Sequence, residues 1–405
     1  MKSSESQSAI PYPFDSPDGL DLHPHYAELR AKDELTRVRL PYGDEAWMCT
    51  RHSDVRQVLT DARFSRAATL TRDEPRVGVD VVDRGLLSMD PPEHSRLRRV
   101  AAAGLTPRRA ERLRPRTEEI ADGLLDDLAR TEPPVDLMAS FVYPFAVTVI
   151  CDLLGVPYED REDFQTWSQA VVSTTSLTPE RRERYMARLH AYMAELIARL
   201  RREPADGLLM AMIRARDEEP GRLTEDELVL VAVRLLAPGA QNTVVTLANF
   251  VRMLIGRPER FAELRDRPGL IPGAVEELLR YTPFHTSTMF PRYATEKTTI
   301  GATVVQEGEA VVGSLCAANR DETVFGSSEE LDFQRADNPH LAFGQGAHYC
   351  PGAHLARMQL QVGIGALARR VGGLRLAVPE NELRWKRGMV VRWLEELPVT
   401  WSRIT

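Results

Sequence analysis

A single cysteine stands in a glycine-rich loop near the carboxyl end of the chain, within HLAFGQGAHYCPGAHLAR, residues 340–357. Gly344, Gly346 and Gly352 permit tight turns and the close approach of backbone to a flat ligand. An apolar helix is predicted to begin directly after Cys350, and the positive end of that helix favours a thiolate over a thiol. A lone cysteine is more often a buried, inert side chain. These flanks instead favour a sulfur that serves as an axial ligand of heme iron.

A second group of candidate residues lies in the middle of a long predicted helix. Thr224 and Glu227 form a capping box at its start, and the apolar pattern continues to about Ile255. Pro238 removes one backbone hydrogen bond and Gly239 weakens the next turn, so we expect a kink or a local opening there. A curved core helix is the alternative interpretation of the same pattern.

The elements that must position these residues are mainly helical. Helical periodicity dominates from about residue 92 to 285. A hairpin is predicted around residues 42–44, and two further β-rich patches follow residue 295. No repeat and no linker divides the chain. We therefore expect a flexible arm rich in Ser and Pro over residues 1–17, and one mainly α-helical domain with small peripheral β-sheets over residues 18–405.

Composition excludes several classes of protein. The 405 residues are 43% hydrophobic and 27% charged, with a formal net charge of −7, which disfavours nucleic-acid binding. No apolar run approaches the roughly 18 residues that span a bilayer, and the first residues do not form a signal peptide. The four cysteines lie far apart without a CxxC pair, which argues against a disulfide framework and a zinc ribbon. We expect a cytoplasmic, monomeric protein that binds neither membrane nor nucleic acid.

The cysteine loop resembles the signature of the cytochrome P450 family. FGQGAHYCPGAHLAR matches the pattern FGxGxHxCxGxxLAR at every fixed position, and the resemblance covers the chain from about residue 20 onward. It implies the cytochrome P450 fold and heme b, iron protoporphyrin IX, as the cofactor. It also implies that Cys350 is the iron ligand and that Phe343, Gly344 and Gly352 belong to the heme-binding loop.

Further segments appear in the order found in the family. EELLR supplies Glu277 and Arg280, which the resemblance implies form a buried ion pair that stabilises the proximal core. AANRD at 317–321 matches the meander that precedes the cysteine loop. The resemblance assigns the heme propionates to four basic residues: His94, Arg98, Arg292 and His348. Taken alone, a histidine such as His94 is more often a surface residue on a polar helix, and EELLR could be an ordinary exposed helix pair.

The long helix resembles the family's distal helix, which crosses the heme, but it departs from the usual motif A-G-x-D/E-T. This chain reads PGAQN at 238–242, followed by Thr243, and it has no Asp or Glu between Glu227 and Glu259. Amides donate and accept hydrogen bonds but do not ionise at neutral pH, so general acid catalysis by the helix itself is lost. Protons must then arrive through ordered water or through polar groups of the substrate. The catalytic candidates on this helix are Gly239, Gln241, Asn242 and Thr243.

The missing acid favours a reaction that needs little from a proton relay. Segments such as MCTRHSDVRQVLTDARFSR are similar to actinobacterial enzymes that tailor secondary metabolites, and some of those enzymes couple aromatic rings. We therefore expect oxidative radical C–C or C–N coupling of an aromatic natural product, for example dimerisation of a tryptophan-containing cyclodipeptide. The alternatives are a conventional monooxygenase that hydroxylates or epoxidises a secondary-metabolite intermediate, and a heme sensor without turnover.

Contacts with the substrate and with an electron donor follow from the same resemblance. The substrate is expected to meet the loop at 66–90, the long helix and the segments 285–290 and 388–391. Within these we name three contacts: Ser287, Thr288 and Met389. Residues 96–116 hold eight arginines against one acid, Glu111. Such a run is either a solvated face or, by charge complementarity, a surface for a ferredoxin-type electron donor that works with its reductase.

Overall fold

The computed structural model describes residues 8–14, 18–79, 85–205, 207–218, 223–288 and 290–405. The chain divides into two compact units. The first comprises residues 1–95, 279–331 and 336–350, and the second comprises residues 96–278, 332–335 and 351–405. Most of the predicted arm, residues 80–84 of the predicted substrate loop and Met289 lie outside the described residues. That residues 18–405 act as one catalytic domain stays a prediction.

Helices dominate the described residues, as the periodicity predicts. They are α1 His25–Arg30, α2 His52–Thr60, α3 Glu93–Ala103, α4 Pro107–Arg112, α5 Arg114–Ala129, α6 Tyr143–Leu154, α7 Arg161–Val172, α8 Pro179–Arg202, α9 Leu208–Asp217, α10 Glu225–Ile255, α11 Pro258–Asp266, α12 Ile271–Tyr281, α13 Leu315–Ala318 and α14 Ala353–Arg370. The prediction of a mainly α-helical protein with small sheets is confirmed.

The strands are short. They are β1 Ile10–Pro11, β2 Thr36–Arg39, β3 Ala46–Cys49, β4 Phe64–Ser65, β5 Val135–Asp136, β6 Arg292–Ala294, β7 Thr298–Ile300, β8 Thr303–Val305, β9 Ala310–Gly313, β10 Val371–Gly372, β11 Arg375–Leu376, β12 Trp385–Lys386, β13 Trp393–Leu394, β14 Pro398–Thr400 and β15 Arg403–Ile404. The first unit holds a six-stranded sheet in the order β1-β2-β3-β9-β6-β4 and the hairpin β7-β8. The second unit holds a three-stranded sheet, β11-β14-β5, and the pairs β10-β15 and β12-β13.

Alternation along the strands builds the core of the first unit. In β9, Ala310 and Val312 pack into one buried cluster, whereas Val311 packs into another. Successive side chains of a strand point to opposite faces, so the sheet carries apolar residues on both sides. The predicted hairpin is confirmed, because β2 and β3 pair antiparallel with Thr36 opposite Met48.

The described part of the predicted arm packs onto this sheet. Strand β1 runs parallel to β2, and Ile10 pairs with Val38. Tyr12 is only 3% exposed and belongs to the same buried cluster as Val38. Over these residues the structure therefore differs from the flexible arm that the Ser and Pro content predicts, because apolar side chains within the segment are buried.

Helix α10 is the central element of the second unit and packs against α6, α7, α8 and α14. The predicted capping box is confirmed, since Thr224 Oγ1 accepts from the backbone N–H of Glu227 at 3.1 Å. The helix spans 31 residues and continues through Pro238, so the predicted local opening is not seen. A proline removes a single backbone hydrogen bond, and the helices packed around α10 hold it together there. The kink at Pro238 and the alternative of a curved core helix both stay predictions.

By length and composition alone, α10 is the one helix within the described ranges that is long and apolar enough to cross a membrane. In its most apolar window 62% of the residues are buried inside the protein. A helix buried by its neighbours in this way is weak evidence for a membrane span.

Candidate active site

The part of the cysteine loop that ends at Cys350 lies in the first unit, and its backbone turns back on itself. The backbone N–H of Cys350 donates to the carbonyl oxygen of Phe343 at 2.9 Å. Gly344 and Gly346 have φ of 69° and 73°, the left-handed region that side chains disfavour. A Cβ on Gly346 would also lie 2.6 Å from the carbonyl oxygen of Leu59. Cys350 stands at the end of this turn and is half-buried.

Gly352 differs from Gly344 and Gly346 in its backbone conformation. It is the N-cap of α14, with φ of −85°, a value that any residue adopts. The tight turns predicted for this loop are therefore formed at Gly344 and Gly346 and not at Gly352. Its assignment to the heme-binding loop stays a prediction.

A buried basic cluster lies in the same unit as Cys350. The rings of His94 and His348 are 4.4 Å apart between centroids, and His94 and Arg292 are buried. Burial, followed by the charge of Arg292, lowers the pKa of His348 to about 3, so that this ring is neutral at physiological pH. Burial also lowers the pKa of Arg292 to about 10. Asp90 is the acid beside the cluster, and its carboxylate accepts from the backbone N–H of Arg66 at 2.8 Å.

Two polar atoms of this cluster fit the presence of an anionic ligand. Nδ1 of His348 and Nε of Arg292 are buried without a hydrogen-bond partner among the described residues. Leaving a buried donor unpaired costs about 1–3 kcal/mol, more for a charged group. A carboxylate would satisfy these atoms, so the residues of the first unit fit the heme propionates that the sequence assigns to them.

Two further arginines, Arg66 and Arg98, bear on the predicted binding of the propionates. Sequence reasoning missed Arg66, which is 1% exposed and whose guanidinium donates to the carbonyl oxygen of Leu87 at 2.7 Å. Its charge contributes to the lowered pKa of His348. Arg98, the fourth predicted propionate ligand, is half-buried in α3 and belongs to the second unit. Its assignment stays a prediction.

The EELLR residues are both buried, which excludes an exposed helix pair. Glu277 is fully buried in the second unit, where its carboxylate accepts from the backbone N–H of Asp332 at 2.9 Å and from Nε of Arg335 at 3.1 Å. Arg280 is 1% exposed in the first unit. Its guanidinium donates at 2.8–2.9 Å to three backbone carbonyl oxygens, those of Asn319, Ser328 and Glu330. Sequence reasoning missed Arg335, the arginine in DFQRADNPH just before the cysteine loop.

The catalytic candidates on α10 have distinct environments within the second unit. Gln241 is fully buried, and its Nε2 donates to the backbone carbonyl of Gln165 in α7 at 3.2 Å. The Thr243 hydroxyl donates to the carbonyl of Gly239 one turn earlier at 2.9 Å. Asn242 is half-buried, and its Oδ1 finds no hydrogen-bond partner in the described part of the chain.

The structure leaves space beside Gly239. Among the residues that the structure describes, a Cβ added there would meet only Cδ1 of Ile150, at 4.0 Å. The helix backbone is therefore accessible at this position, as expected for a glycine that a ligand approaches closely.

The three predicted substrate contacts are not brought together within either unit. Ser287 and Thr288 are buried in the first unit, where the backbone N–H of Thr288 donates to the hydroxyl of Tyr12 at 2.6 Å. Met389 is 3% exposed in the second unit, and its backbone bridges to Ser173 at the end of α7. Their role in substrate binding stays a prediction.

Phe290 is the last residue of the segment 285–290 that we expect to meet the substrate, and it lies in the first unit directly before the Pro291–Arg292 pair. Its φ is 62°, an uncommon value for an aromatic residue, and the Arg66 guanidinium lies 5.7 Å from its ring centroid. Strained backbone of this kind clusters at ligand sites. The sequence carries no signal for the positive φ of Phe290, because phenylalanine is not a residue that favours this conformation.

Comparison with known proteins agrees with this geometry. The family model described as Cytochrome P450 matches residues 270–371. The chain is 48% identical over 401 residues to mycinamicin IV hydroxylase/epoxidase of Micromonospora griseorubida, covering 99% of this chain and 100% of that protein. It is 49% identical over 392 residues to nocardicin C N-oxygenase of Nocardia uniformis subsp. tsuyamanensis, covering 96% of this chain and 98% of that protein.

A solved structure gives the same result for the fold. The structure of the mixed-function P450 MycG superposes with a TM-score of 0.92 at 48% sequence identity, covering 97% of this chain and 100% of that chain. The predicted fold and the predicted heme cofactor are thereby confirmed. Likeness of this extent, together with the cysteine loop and the basic cluster beside it, establishes that the chain belongs to the cytochrome P450 family and is a heme-dependent monooxygenase of bacterial secondary metabolism.

Proposed function

We propose that this monooxygenase inserts one oxygen atom into a secondary-metabolite intermediate, as a hydroxyl, an epoxide or an N–O group. The observation that carries the proposal is the near-full-length identity of 48% and 49% to a hydroxylase/epoxidase and an N-oxygenase. This favours the conventional monooxygenase over the oxidative coupling that the sequence led us to expect. The coupling prediction depended on a missing acid, which removes one proton donor but does not by itself select a reaction.

The residues that would hold the cofactor follow from the first unit. Sγ of Cys350 would ligate the iron, and the basic cluster of His94, Arg292 and His348 would bind the propionates. The bound heme supplies the oxidising power that activates dioxygen. Arg292 stays charged at physiological pH although burial lowers its pKa, so it would offer a positive charge to the propionates.

The middle of α10 would control polar groups near the substrate without ionising. Its amides and hydroxyls can orient a water molecule or a substrate donor, but neither type of group gives up a proton readily at neutral pH. Between Glu227 and Glu259 the helix has no carboxylate to act as an acid. Proton delivery is therefore assigned to ordered water or to the substrate, with α10 holding either one in place.

The arginine-rich run would receive the electron donor. Three of its arginines are paired with acids of the second unit: Arg96 with Glu227, Arg114 with Glu111 and Arg116 with Asp152. Arg99, Arg108 and Arg112 are exposed and form no ion pair with any described residue. Unpaired exposed arginines on neighbouring helices suit the acidic surface of a ferredoxin-type protein. A ferredoxin with its reductase, working with a monomeric enzyme in the cytoplasm, is the proposed arrangement.

Isotope labelling tests the proposed reaction. Mycinamicin IV, nocardicin C and a panel of aromatic cyclodipeptides are screened for a change in the spin state of the heme iron, and each compound that shifts it is turned over under ¹⁸O₂. The proposal predicts a product that gains one ¹⁸O atom. A dimeric product without label would support oxidative coupling instead, and binding without any product would support the sensor. Turnover under ¹⁶O₂ is the matched control.

A further inference from the structure

A small polar cavity lies within the first unit, between the amino-terminal segment, the chain before β6 and the start of α13. Its volume is about 20 Å³, enough to hold a water molecule. The polar residues of its wall include Tyr12, Tyr26, His285, Thr288 and Cys316. A wall of this composition favours an occupant that is polar and about as large as water.

The hydroxyl of Thr288 is an unused hydrogen-bonding group in this wall. Thr288 is 7% exposed, and its Oγ1 has no hydrogen-bond partner among the described residues. Its backbone is already paired, because the N–H of Thr288 donates to the hydroxyl of Tyr12 at 2.6 Å. The Tyr12 hydroxyl in turn lies 3.2 Å from that of Tyr26. A buried hydroxyl without a partner is costly, so it indicates a polar group that is brought to the cavity.

Cys316 brings a thiol to the same cavity. It lies in α13, is half-buried and forms no disulfide. Since the cavity is about as large as a water molecule, an oxygen atom placed in it lies close to both Cys316 and Thr288. The unpaired hydroxyl and the thiol therefore point to one shared ligand atom.

The other three cysteines are not open to reaction in the heme-loaded protein. Cys49 and Cys151 are fully buried. Burial raises the pKa of Cys151 to about 12 and the pKa of Cys49 well above its ordinary value, and the thiolate is the reactive form. The sulfur of Cys350 is taken up by the iron once heme is bound. Cys316 is therefore the thiol that a small oxidant can reach.

We propose that Cys316 is a site of oxidation to sulfenic acid, and that the cavity admits an oxygen atom of hydrogen peroxide as the oxidant. The thiolate of Cys316 attacks one peroxide oxygen, so that an S–O bond forms while the O–O bond breaks. Sulfur is oxidised by two electrons and the peroxide is reduced. The departing hydroxide takes up the proton that the thiol has lost and leaves as water. The oxygen atom now bound to sulfur occupies the cavity and pairs with the hydroxyl of Thr288.

Trapping of the sulfenic acid tests the proposal on the heme-loaded protein. Imidazole is first bound to the iron so that peroxide does not react there. Dilute hydrogen peroxide is then added, and dimedone traps the sulfenic acid for peptide mass spectrometry. Cys316 is expected to be trapped at least about tenfold faster than Cys49 or Cys151, because protein encloses those two thiols. Trapping at Cys316 that is no faster than at the buried cysteines overturns the proposal.

Reagents of two sizes distinguish the cavity from open solvent. Methyl methanethiosulfonate and benzyl methanethiosulfonate share one reactive group, but the aromatic ring of the second does not fit a cavity of about 20 Å³. Relative to their rates with free glutathione, we expect the methyl reagent to modify Cys316 at least about tenfold faster than the benzyl reagent. Equal relative rates would show a thiol on the open surface, which contradicts the proposal.

Two matched variants test the assigned hydrogen bond. Thr288→Val removes the hydroxyl with little change of shape and is expected to shorten the lifetime of the sulfenic acid about fivefold, in line with one neutral hydrogen bond. The control is Thr282→Val. Thr282 is also 7% exposed with a hydroxyl that finds no partner in the described part of the chain, but it does not line the cavity. An unchanged lifetime in Thr288→Val, or an equal loss in both variants, overturns the hydrogen bond. The wild-type experiments decide the site itself even if a variant fails to fold.

Discussion

At the scale of single residues, the cysteine loop depends on backbone conformations that are unfavourable for any residue with a Cβ. Gly344 and Gly346 both have positive φ, but their surroundings differ. In the described part of the chain, the atom nearest to a Cβ on Gly344 would be the carbonyl oxygen of His348, at 3.8 Å. A Cβ on Gly346 would lie 2.6 Å from the carbonyl oxygen of Leu59. The two glycines therefore separate the cost of conformation from the cost of close approach.

The pair of variants Gly344→Ala and Gly346→Ala measures this difference. Gly344→Ala is expected to lower the free energy of unfolding by about 1–2 kcal/mol, the cost of a left-handed conformation. Gly346→Ala is expected to cost more and to weaken heme retention, because the loop must move away from Leu59. Urea unfolding and the heme content of the purified proteins report both effects. Equal losses in the two variants would contradict the assigned contact.

A buried carboxylate makes a second prediction at this scale. Glu277→Gln leaves the guanidinium of Arg335 without its counter-charge in a buried site, and we expect a loss of about 3–5 kcal/mol in the free energy of unfolding. The control is its neighbour, Glu276→Gln, whose pair with Arg357 at 2.7 Å is partly exposed. That change is expected to cost at most about 1 kcal/mol. Similar stabilities of the two variants would show that Glu277 is not a structural charge.

At the scale of elements, the packing of α8 on α10 links stability to pH. Burial, followed by the charge of Arg234, lowers the pKa of His190 below its ordinary value of 6.5. Below pH 6.5 the unfolded chain therefore binds a proton more readily than the folded chain, so stability falls as the pH falls. Burial and the positive charge of Arg234 both favour the neutral ring of His190 over its imidazolium.

This linkage is measured by comparing the wild type with His190→Gln. Between pH 7.5 and pH 5.5, the wild type is expected to lose more of its thermal unfolding midpoint than the variant, whose side chain does not titrate. The difference is expected to be small, because His190 is partly solvent-exposed. If both proteins lost the same amount in the thermal unfolding midpoint, His190 would not contribute to the acid sensitivity of the fold.

The same scale separates contacts that could be predicted from the sequence from contacts that could not. The cysteine loop and the capping box of α10 are local patterns, so their residues could be assigned from a few contiguous letters. The partners of Glu277 and Gln241 come from segments 58 and 76 residues away in the chain, which no local pattern connects. The amides of α10 could be recognised from the sequence as unable to ionise, but only the fold shows that Gln241 packs α10 against α7.

At the scale of the whole molecule, the net charge is −7, and exposed arginines without an acidic partner contrast with it. Arg108 and Arg112 are exposed on α4, and Arg184 and Arg188 are exposed on α8, without an ion pair to any described residue. Only the α4 pair belongs to the run that we assign to the electron donor. Charge complementarity acts mainly on the rate of association, and salt weakens it.

Charge reversal tests this assignment. Arg108→Glu with Arg112→Glu is expected to slow reduction by a bacterial ferredoxin at low ionic strength by at least about tenfold, with the difference shrinking as salt is added. Arg184→Glu with Arg188→Glu carries the same change in net charge and is the control, expected to have a much smaller effect. Stopped-flow reduction under carbon monoxide gives the rates. If the two double variants slowed reduction equally, the α4 arginines would form a solvated face and not the surface that binds the electron donor.

Iron ligation by the sulfur of Cys350 is tested most directly by the absorption spectrum of the reduced, carbon-monoxide-treated protein. We predict the Soret maximum diagnostic of thiolate ligation in the wild type and in Cys316→Ala, which alters another half-buried cysteine. Cys350→Ala is predicted to lack it, even when supplied with hemin. A wild type without this maximum, or a Cys350→Ala variant that keeps it, would contradict the assignment of Cys350 as the iron ligand.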